Sequence, residues 1–290
     1  MSERFEAGGA PQPSVAPGPS PERWLAACRR AVEAHREIFR SHRGVAARTQ
    51  YEGVGEGGDR TLVIDRLCED AVFSELDSLH AEGFEFKAIA EERGEVTFGD
   101  GSAASRVVID PIDGSLNARR MIPCHSLSIG VSEGDSMADV SFGYVYEFGV
   151  GEEYFAVRGQ GAALDGEPIA VPDGDGLELV ALEAAQPERM RAASEALAGK
   201  VYRLRTPGSI AVSLCYVAAG RFDGVMSTRP CRSVDAAGGQ LILREAGGEV
   251  AFGEAELSAT PLGLEARYQL AAARTGADLR TLLEAKASIP

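Results

Sequence analysis

The chain has 290 residues, 44% apolar and 25% charged, with 44 acidic against 29 basic side chains and a net charge of −15. That length buries a substantial core in one large domain or two packed lobes, and the acidic excess argues against nucleic acid and anionic membrane surfaces as partners. Five scattered cysteines and four histidines offer neither a disulfide framework nor a zinc-ligand spacing, and no apolar run reaches the length of a membrane span, so a reducing cytoplasm is the expected location.

Residues 1–20, rich in Pro, Gly, Ala and Ser, read as a disordered leader. Ser20-Pro21-Glu22 opens a helix, with Ser20 as N-cap and Pro21 at the first position; Trp24, Cys28, Val32 and Phe39 mark one face as far as about Ser41. Leu67, Val72, Phe73, Leu76 and Leu79 predict a second helix from Leu62 to about Leu79. From Phe84 the pattern changes to short apolar runs at 84–90, 106–110, 126–132, 138–148 and 152–159, read as strands of one mixed sheet extending to about Val171. Beyond it, strands are expected at 178–185, 201–205, 222–227 and near 268–272, with helices at 186–199, 208–219, 235–246 and from Asp278 onward. The sum is an α+β chain with a leader (1–20), an N-terminal lobe (21–175) and a C-terminal α/β lobe (176–290), divided where Pro172-Asp173-Gly174-Asp175-Gly176 interrupts the pattern.

Four segments carry candidate chemistry. Val107-Val108-Ile109 runs as an apolar strand into Asp110-Pro111-Ile112-Asp113-Gly114-Ser115, two carboxylates three residues apart with Pro111 fixing the backbone between them. A helix starting at Ser115 would add free N–H groups, an arrangement suited to cations bridging to a phosphate. By itself the segment is also compatible with a solvated acidic turn. Glu91, in Glu91-Glu92-Arg93-Gly94, stands at the end of another apolar strand and reaches the same sheet mouth if the two strands are neighbours; an exposed acidic loop is the alternative. Asp235 opens an apolar helix, where it serves as an N-cap, a metal ligand or both, and the small residues Ala236-Ala237-Gly238-Gly239 let that helix approach a sheet closely. Asp65 stands at or just inside the start of the second helix, where capping is again the plain alternative.

Taken together and in this order, the four segments resemble the inositol monophosphatase-like family of metal-dependent, lithium-sensitive-type phosphatases over about residues 20–285. YFAVRGQGAALDGEPIAV and RTPGSIAVSLCYVAAGRFDGVM extend the likeness outside the acidic motifs. The resemblance implies a layered αβαβα sandwich of the inositol monophosphatase/fructose-1,6-bisphosphatase type, two or three Mg²⁺ ions, a homodimer and hydrolysis of a small phosphate monoester. It implies that Glu91, Asp110, the Ile112 carbonyl, Asp113 and Asp235 bind metal, and that Gly114 and Ser115 give N–H groups to the phosphate. Ser115, where most members have Thr, would be oriented by Asp65 and would position the attacking water with Glu91.

Two departures bear on the substrate. Val234 replaces a frequent Trp, and Thr228 stands where members preferring inositol phosphates usually carry an acidic residue. With Arg203, Arg205, Arg229 and Arg232 nearby, the wall formed by Arg205, Thr228 and Arg232 tilts towards a second anionic group, as in fructose 1,6-bisphosphate, unless these arginines pair with acidic neighbours. A 3′-phosphonucleotide or histidinol phosphate is the alternative ester, and a catalytically silent regulatory protein of the same fold the alternative class.

Overall fold

The computed structural model describes residues 18–51, 62–174, 176–184 and 186–289. The first seventeen residues of the expected leader, and the Gly-rich run with Asp59 before Leu62, lie outside the described residues.

Helix α1 (Pro21–Ser41) begins at its proline as expected, although the Ser20 side chain makes no capping bond to the helix backbone. After the short α2 (Val45–Arg48), α3 (Val63–Ala81) lies against α1. Eight strands then form one mixed sheet: β1 (Phe86–Ala90), β2 (Gly94–Phe98), β3 (Arg106–Asp113), β4 (Ser126–Ser132), β5 (Val140–Glu147), β6 (Glu152–Val157), β7 (Gly161–Leu164) and β8 (Glu167–Ile169). Their order is β2-β1-β3-β4-β5-β6-β7-β8, and only β1 and β3 run parallel. The short α4 (Ser115–Arg120) follows β3.

The second half supplies β9 (Leu177–Glu183), α5 (Pro187–Leu197), β10 (Val201–Arg205), α6 (Ile210–Ala218), β11 (Gly224–Ser227), α7 (Ser233–Glu245), β12 (Glu249–Phe252), β13 (Leu270–Ala273) and α8 (Gly276–Ala287). Its five strands are ordered β10-β9-β11-β13-β12, parallel across the first three and antiparallel at the far edge. Strands β2, β7, β8 and β12 were not individually expected from the sequence. Each is short, and β2, β8 and β12 lie at sheet edges, so the apolar signal of a buried strand is weak there.

Alternation along the strands sorts the core into layers. Val107 and Ile109 face Trp24, Cys28, Val72 and Phe73 of α1 and α3. Val108 and Val145 face the other way, towards Leu214 of α6 and Ala237 and Leu241 of α7. That same middle layer meets Ala181, Val225 and Ala272 of the second sheet. The sheet's outer face carries Val180, Leu182 and Met226 against Leu197 of α5 and Leu282 of α8. The chain therefore builds the layered αβαβα sandwich. Among the described residues no helix is long and apolar enough to cross a membrane.

One contact in this stack is tighter than the rest. Helix α7 sits on β4 and β5 where both strands carry glycine. A Cβ added at Gly130 would lie 2.8 Å from the Ala237 Cβ, and one at Gly238 would lie 2.6 Å from the Ile129 carbonyl oxygen. Real side chains cannot occupy that space, so glycine on both surfaces sets the depth of α7. Gly238→Ala is expected to cost about 1–3 kcal/mol of stability by overpacking, read from the urea midpoint. An unchanged midpoint would show that the seam is not close-packed.

Candidate active site

The parallel register of β1 and β3 pairs Ala90 with Ile109, so the next residues, Glu91 and Asp110, emerge side by side at the strand ends. Past Asp110 the pairing of β3 with β4 slips, which re-aims the chain before Asp113. Asp110 is buried and accepts a hydrogen bond from the Ile112 N–H at 3.0 Å. Asp113 is buried too; its Oδ2 accepts from the Ser209 hydroxyl at 2.5 Å and the Ala211 N–H at 2.7 Å, tying the turn to the start of α6. Gly114 follows at φ +90°, a left-handed conformation in which a Cβ would meet the Cys124 carbonyl oxygen at 2.9 Å. The expected helix does begin at Ser115.

Asp235 arrives on α7, but as the third residue of the helix and not its cap. Its Oδ2 accepts the Arg232 N–H at 2.7 Å, reaching back to the cap position. The Arg232 side chain pairs with Glu91, Nη2 to Oε1 at 2.7 Å. Burial, and then the charges of Glu91, Asp113 and Asp235, hold the Asp110 carboxyl well above its usual range, with Arg232 opposing. Asp113 is pushed up to about 8 by burial and by Asp235, and Asp235 is raised by burial. Four carboxylates thus crowd one buried point, which is electrostatically costly without compensating positive charge.

The donor set fits a hard divalent cation: carboxylates and a backbone carbonyl, all oxygen. With the side chains as turned here, no three Asp, Glu, His or Cys groups among the described residues enclose an ion. The reason is visible in the bonds above. Glu91 is turned to Arg232, Asp113 to α6 and Asp235 to the Arg232 N–H, so protein donors satisfy the charges that an ion would otherwise meet.

A cleft of about 310 Å³ beside the cluster gathers Asp65, Glu91 and Ser115 from α3, the β1–β2 turn and α4, so the three residues expected to act together do share one space. Their hydrogen bonds differ from the expectation. The Ser115 hydroxyl donates to the Ile112 carbonyl at 2.9 Å, while Asp65 Oδ1 is buried without a partner. Serine lacks the methyl that restricts threonine, and a hydroxyl at the start of a helix readily bonds back to the preceding turn. Asp65 is pushed up to about 7 by burial and by Glu92 and Glu91.

Of the expected substrate wall, two residues have their polar groups engaged by nearby carbonyls. Arg205 is exposed on edge strand β10 and donates to the Leu204 carbonyl. Thr228 is buried, its hydroxyl donating to the Ala184 and Glu183 carbonyls at 2.7 and 3.1 Å. Of the three only Arg232 reaches the cluster, and it does so as the partner of Glu91. Two of the buried carboxylates that escaped sequence reasoning stand next to site residues. Glu183 accepts from the Ser213 hydroxyl at 2.5 Å and from the Gly208 N–H at 3.1 Å, bracing the loop that carries Ser209. Glu69 accepts the Glu92 N–H at 3.0 Å, one turn along α3 from Asp65. The four-residue spacing of Asp65 and Glu69 was the available signal for the second; Glu183 lies inside an apolar strand with nothing to mark it.

Comparison with known proteins finds relatives over nearly the whole chain. A sequence model of the inositol monophosphatase family matches residues 21–287. A fructose-1,6-bisphosphatase/inositol-1-monophosphatase of Archaeoglobus fulgidus is 37% identical over 201 residues, covering 68% of this chain and 72% of that protein. One of the same name from Thermococcus kodakarensis is 34% identical over 240 residues, covering 82% and 87%. The crystal structure of an inositol monophosphatase–fructose 1,6-bisphosphatase superposes with a TM-score of 0.78 at 30% identity, covering 90% of this chain and 99% of that one.

Burial raises Glu183 to about 7 from an ordinary 4.5. A carboxyl whose folded pKa is raised binds more protons in the folded state, so its contribution to stability is lost as pH rises from about 4.5 to about 7. Relative to wild type, Glu183→Gln should therefore gain about 2–3 kcal/mol between pH 5 and pH 7.5, measured by urea unfolding at each pH. A pH-independent difference would show that Glu183 is ionised throughout.

Proposed function

The chain belongs to the inositol monophosphatase family, and we propose that it hydrolyses a phosphate monoester of a small sugar or polyol, such as inositol monophosphate or fructose 1,6-bisphosphate. The relatives named for both activities support that substrate class. Within the molecule, the observation that supports the chemistry is buried Asp110 ringed by Glu91, Asp113 and Asp235.

In this reading Glu91, Asp110, Asp113, Asp235 and the Ile112 carbonyl hold the divalent cations of the family, which we take to be two or three Mg²⁺. When bound, such ions neutralise phosphate oxygens and supply a water of lowered pKa. The chain's own groups do the rest. Both bonds to Asp113 fall on Oδ2, which fixes the carboxylate while leaving Oδ1 to the cluster. Gly114 and Ser115 present backbone N–H groups to the phosphate at the start of α4. A Ser115 hydroxyl turned from the Ile112 carbonyl to Asp65 Oδ1, which lines the same cleft, would satisfy the unpartnered oxygen and release the carbonyl. The hydroxyl, so oriented, positions the attacking water together with Glu91. Glu91 joins the cluster by releasing Arg232, whose guanidinium then faces the substrate as the anion-binding part of the wall. Arg205 and Thr228, whose polar groups now bond nearby carbonyls, are the remaining wall residues of this reading. A cytoplasmic homodimer completes the reading.

Phosphate release in the presence of Mg²⁺, measured on inositol 1-phosphate, fructose 1,6-bisphosphate, a 3′-phosphonucleotide and histidinol phosphate, identifies the ester; turnover of at least one of the first two is expected. Asp110→Asn should lower kcat by about 10³-fold or more, on the order of 4 kcal/mol of transition-state stabilisation, with an unchanged circular dichroism spectrum. Absence of turnover on all four esters, or full activity in Asp110→Asn, would overturn the assignment.

A further inference from the structure

A second cleft, of about 390 Å³, opens behind the Asp110–Ser115 turn and shares no described lining residue with the cleft beside the carboxylate cluster. Three arginines line it, Arg36, Arg40 and Arg48, with Phe39, His125 and Phe148. In a chain of net charge −15 this grouping is unusual, since no carboxylate stands among its described lining residues. Arg48 is buried and spends its donors on the carbonyls of His42, Ala118 and Phe39, so it acts as a fixed positive charge in the wall. Arg36 and Arg40 lie one turn apart on α1. Arg36 donates to Glu33 and to the Tyr146 hydroxyl, and Arg40 meets Glu37 at 3.4 Å. Both ion pairs are between neighbours three apart on a solvated face, which hold their charges weakly and exchange readily for a better anion.

His125 adds an independent observation. It is 7% exposed, and its Nδ1 is buried with no hydrogen-bond partner. The ring is stacked on Phe148, centroids 5.7 Å apart, and meets Phe39 edge-on at 5.4 Å. Burial, and then the nearby Arg48, push its pKa down to about 4. A neutral imidazole carries one N–H and one bare lone pair, and the tautomer decides which of them Nδ1 presents. Either asks for a hydroxyl, which can donate or accept, while the arginines ask for a phosphate or similar anion.

We propose that this cleft is a second binding site, for a small phosphate compound carrying a free hydroxyl, its phosphate held by Arg36 and Arg40 and its hydroxyl bonded to the unpartnered His125 Nδ1. The volume suits a compact metabolite. Its wall is also the back of the active-site turn. His35 stacks on Phe148 at 5.7 Å and places Nε2 3.2 Å from the Pro111 carbonyl, and Arg48 holds the Ala118 carbonyl of α4 at 2.9 Å. An occupant thus bears on the backbone that carries Asp110, Asp113 and Ser115.

Calorimetric titration of the metal-free protein with glycerol 3-phosphate tests this separately from hydrolysis, with inorganic phosphate and glycerol as comparison ligands. Glycerol 3-phosphate should bind saturably in the millimolar range or tighter, inorganic phosphate more weakly and glycerol not at all. The Arg36→Ala/Arg40→Ala double variant and Arg40→Glu should each weaken glycerol 3-phosphate at least tenfold; Arg40 is exposed, so its replacement leaves the fold intact. His125→Phe, which keeps the stack, should bring glycerol 3-phosphate down to the affinity of inorganic phosphate, and Asp235→Asn should change nothing. No saturable binding, binding indifferent to Arg40→Glu, or binding abolished by Asp235→Asn would each overturn the proposal.

Discussion

Mutual repulsion among four carboxylates around buried Asp110 is the constraint on which the site depends. Each of Glu91, Asp113 and Asp235 raises the cost of ionising Asp110, and burial removes the water that would otherwise screen them. The described residues respond with local donors: Arg232 on Glu91, the Arg232 N–H on Asp235, and Ser209 with Ala211 on Asp113. These donors keep the folded chain tolerable: Arg232 takes up the Glu91 carboxylate, while those on Asp113 and Asp235 occupy one oxygen of each. The site therefore keeps its charges apart by giving each carboxylate its own neighbour.

Bringing the four together joins the first sheet to the middle helix layer. The parallel register of β1 and β3 delivers Glu91 and Asp110, the slip between β3 and β4 delivers Asp113, and α7 carries Asp235 in from the second half of the chain. Glycines on β4, β5 and α7 let that helix come close enough. Packing and chemistry are joined here, because the seam that excludes side chains also sets where Asp235 stands.

Much of this was legible in the sequence. The helices and long buried strands follow from periodicity, and the four acidic segments were each found at the end of an apolar element, where a strand mouth or helix start presents them. What was missed has physical reasons. Strands β2 and β12 are short edges with exposed charged residues such as Glu95 and Glu249. Asp235 was placed one turn too early, because a helix start reads alike whether its Asp caps directly or reaches back from the third position. The Ser115 hydroxyl and the Arg232 guanidinium went to partners that no spacing rule selects, since both choices depend on which side chains the fold brings near. Thr228 and Arg205 are close in sequence to the site, but the strand ends that carry them turn their polar groups to nearby carbonyls.

Helix α7 lies between two sheets, with Gly238 pressed on one and Leu241 in the layer shared with the other. Neither sheet alone can bury it, so it has no finished resting place until both halves of the chain have formed. The last carboxylate therefore joins the other three only on completion of the whole stack. A nascent or truncated chain that ends before α7 carries three of the four acidic groups and no seam to seat the fourth. Such a chain lacks Asp235 from the carboxylate cluster, and completion of the cluster marks completion of the fold.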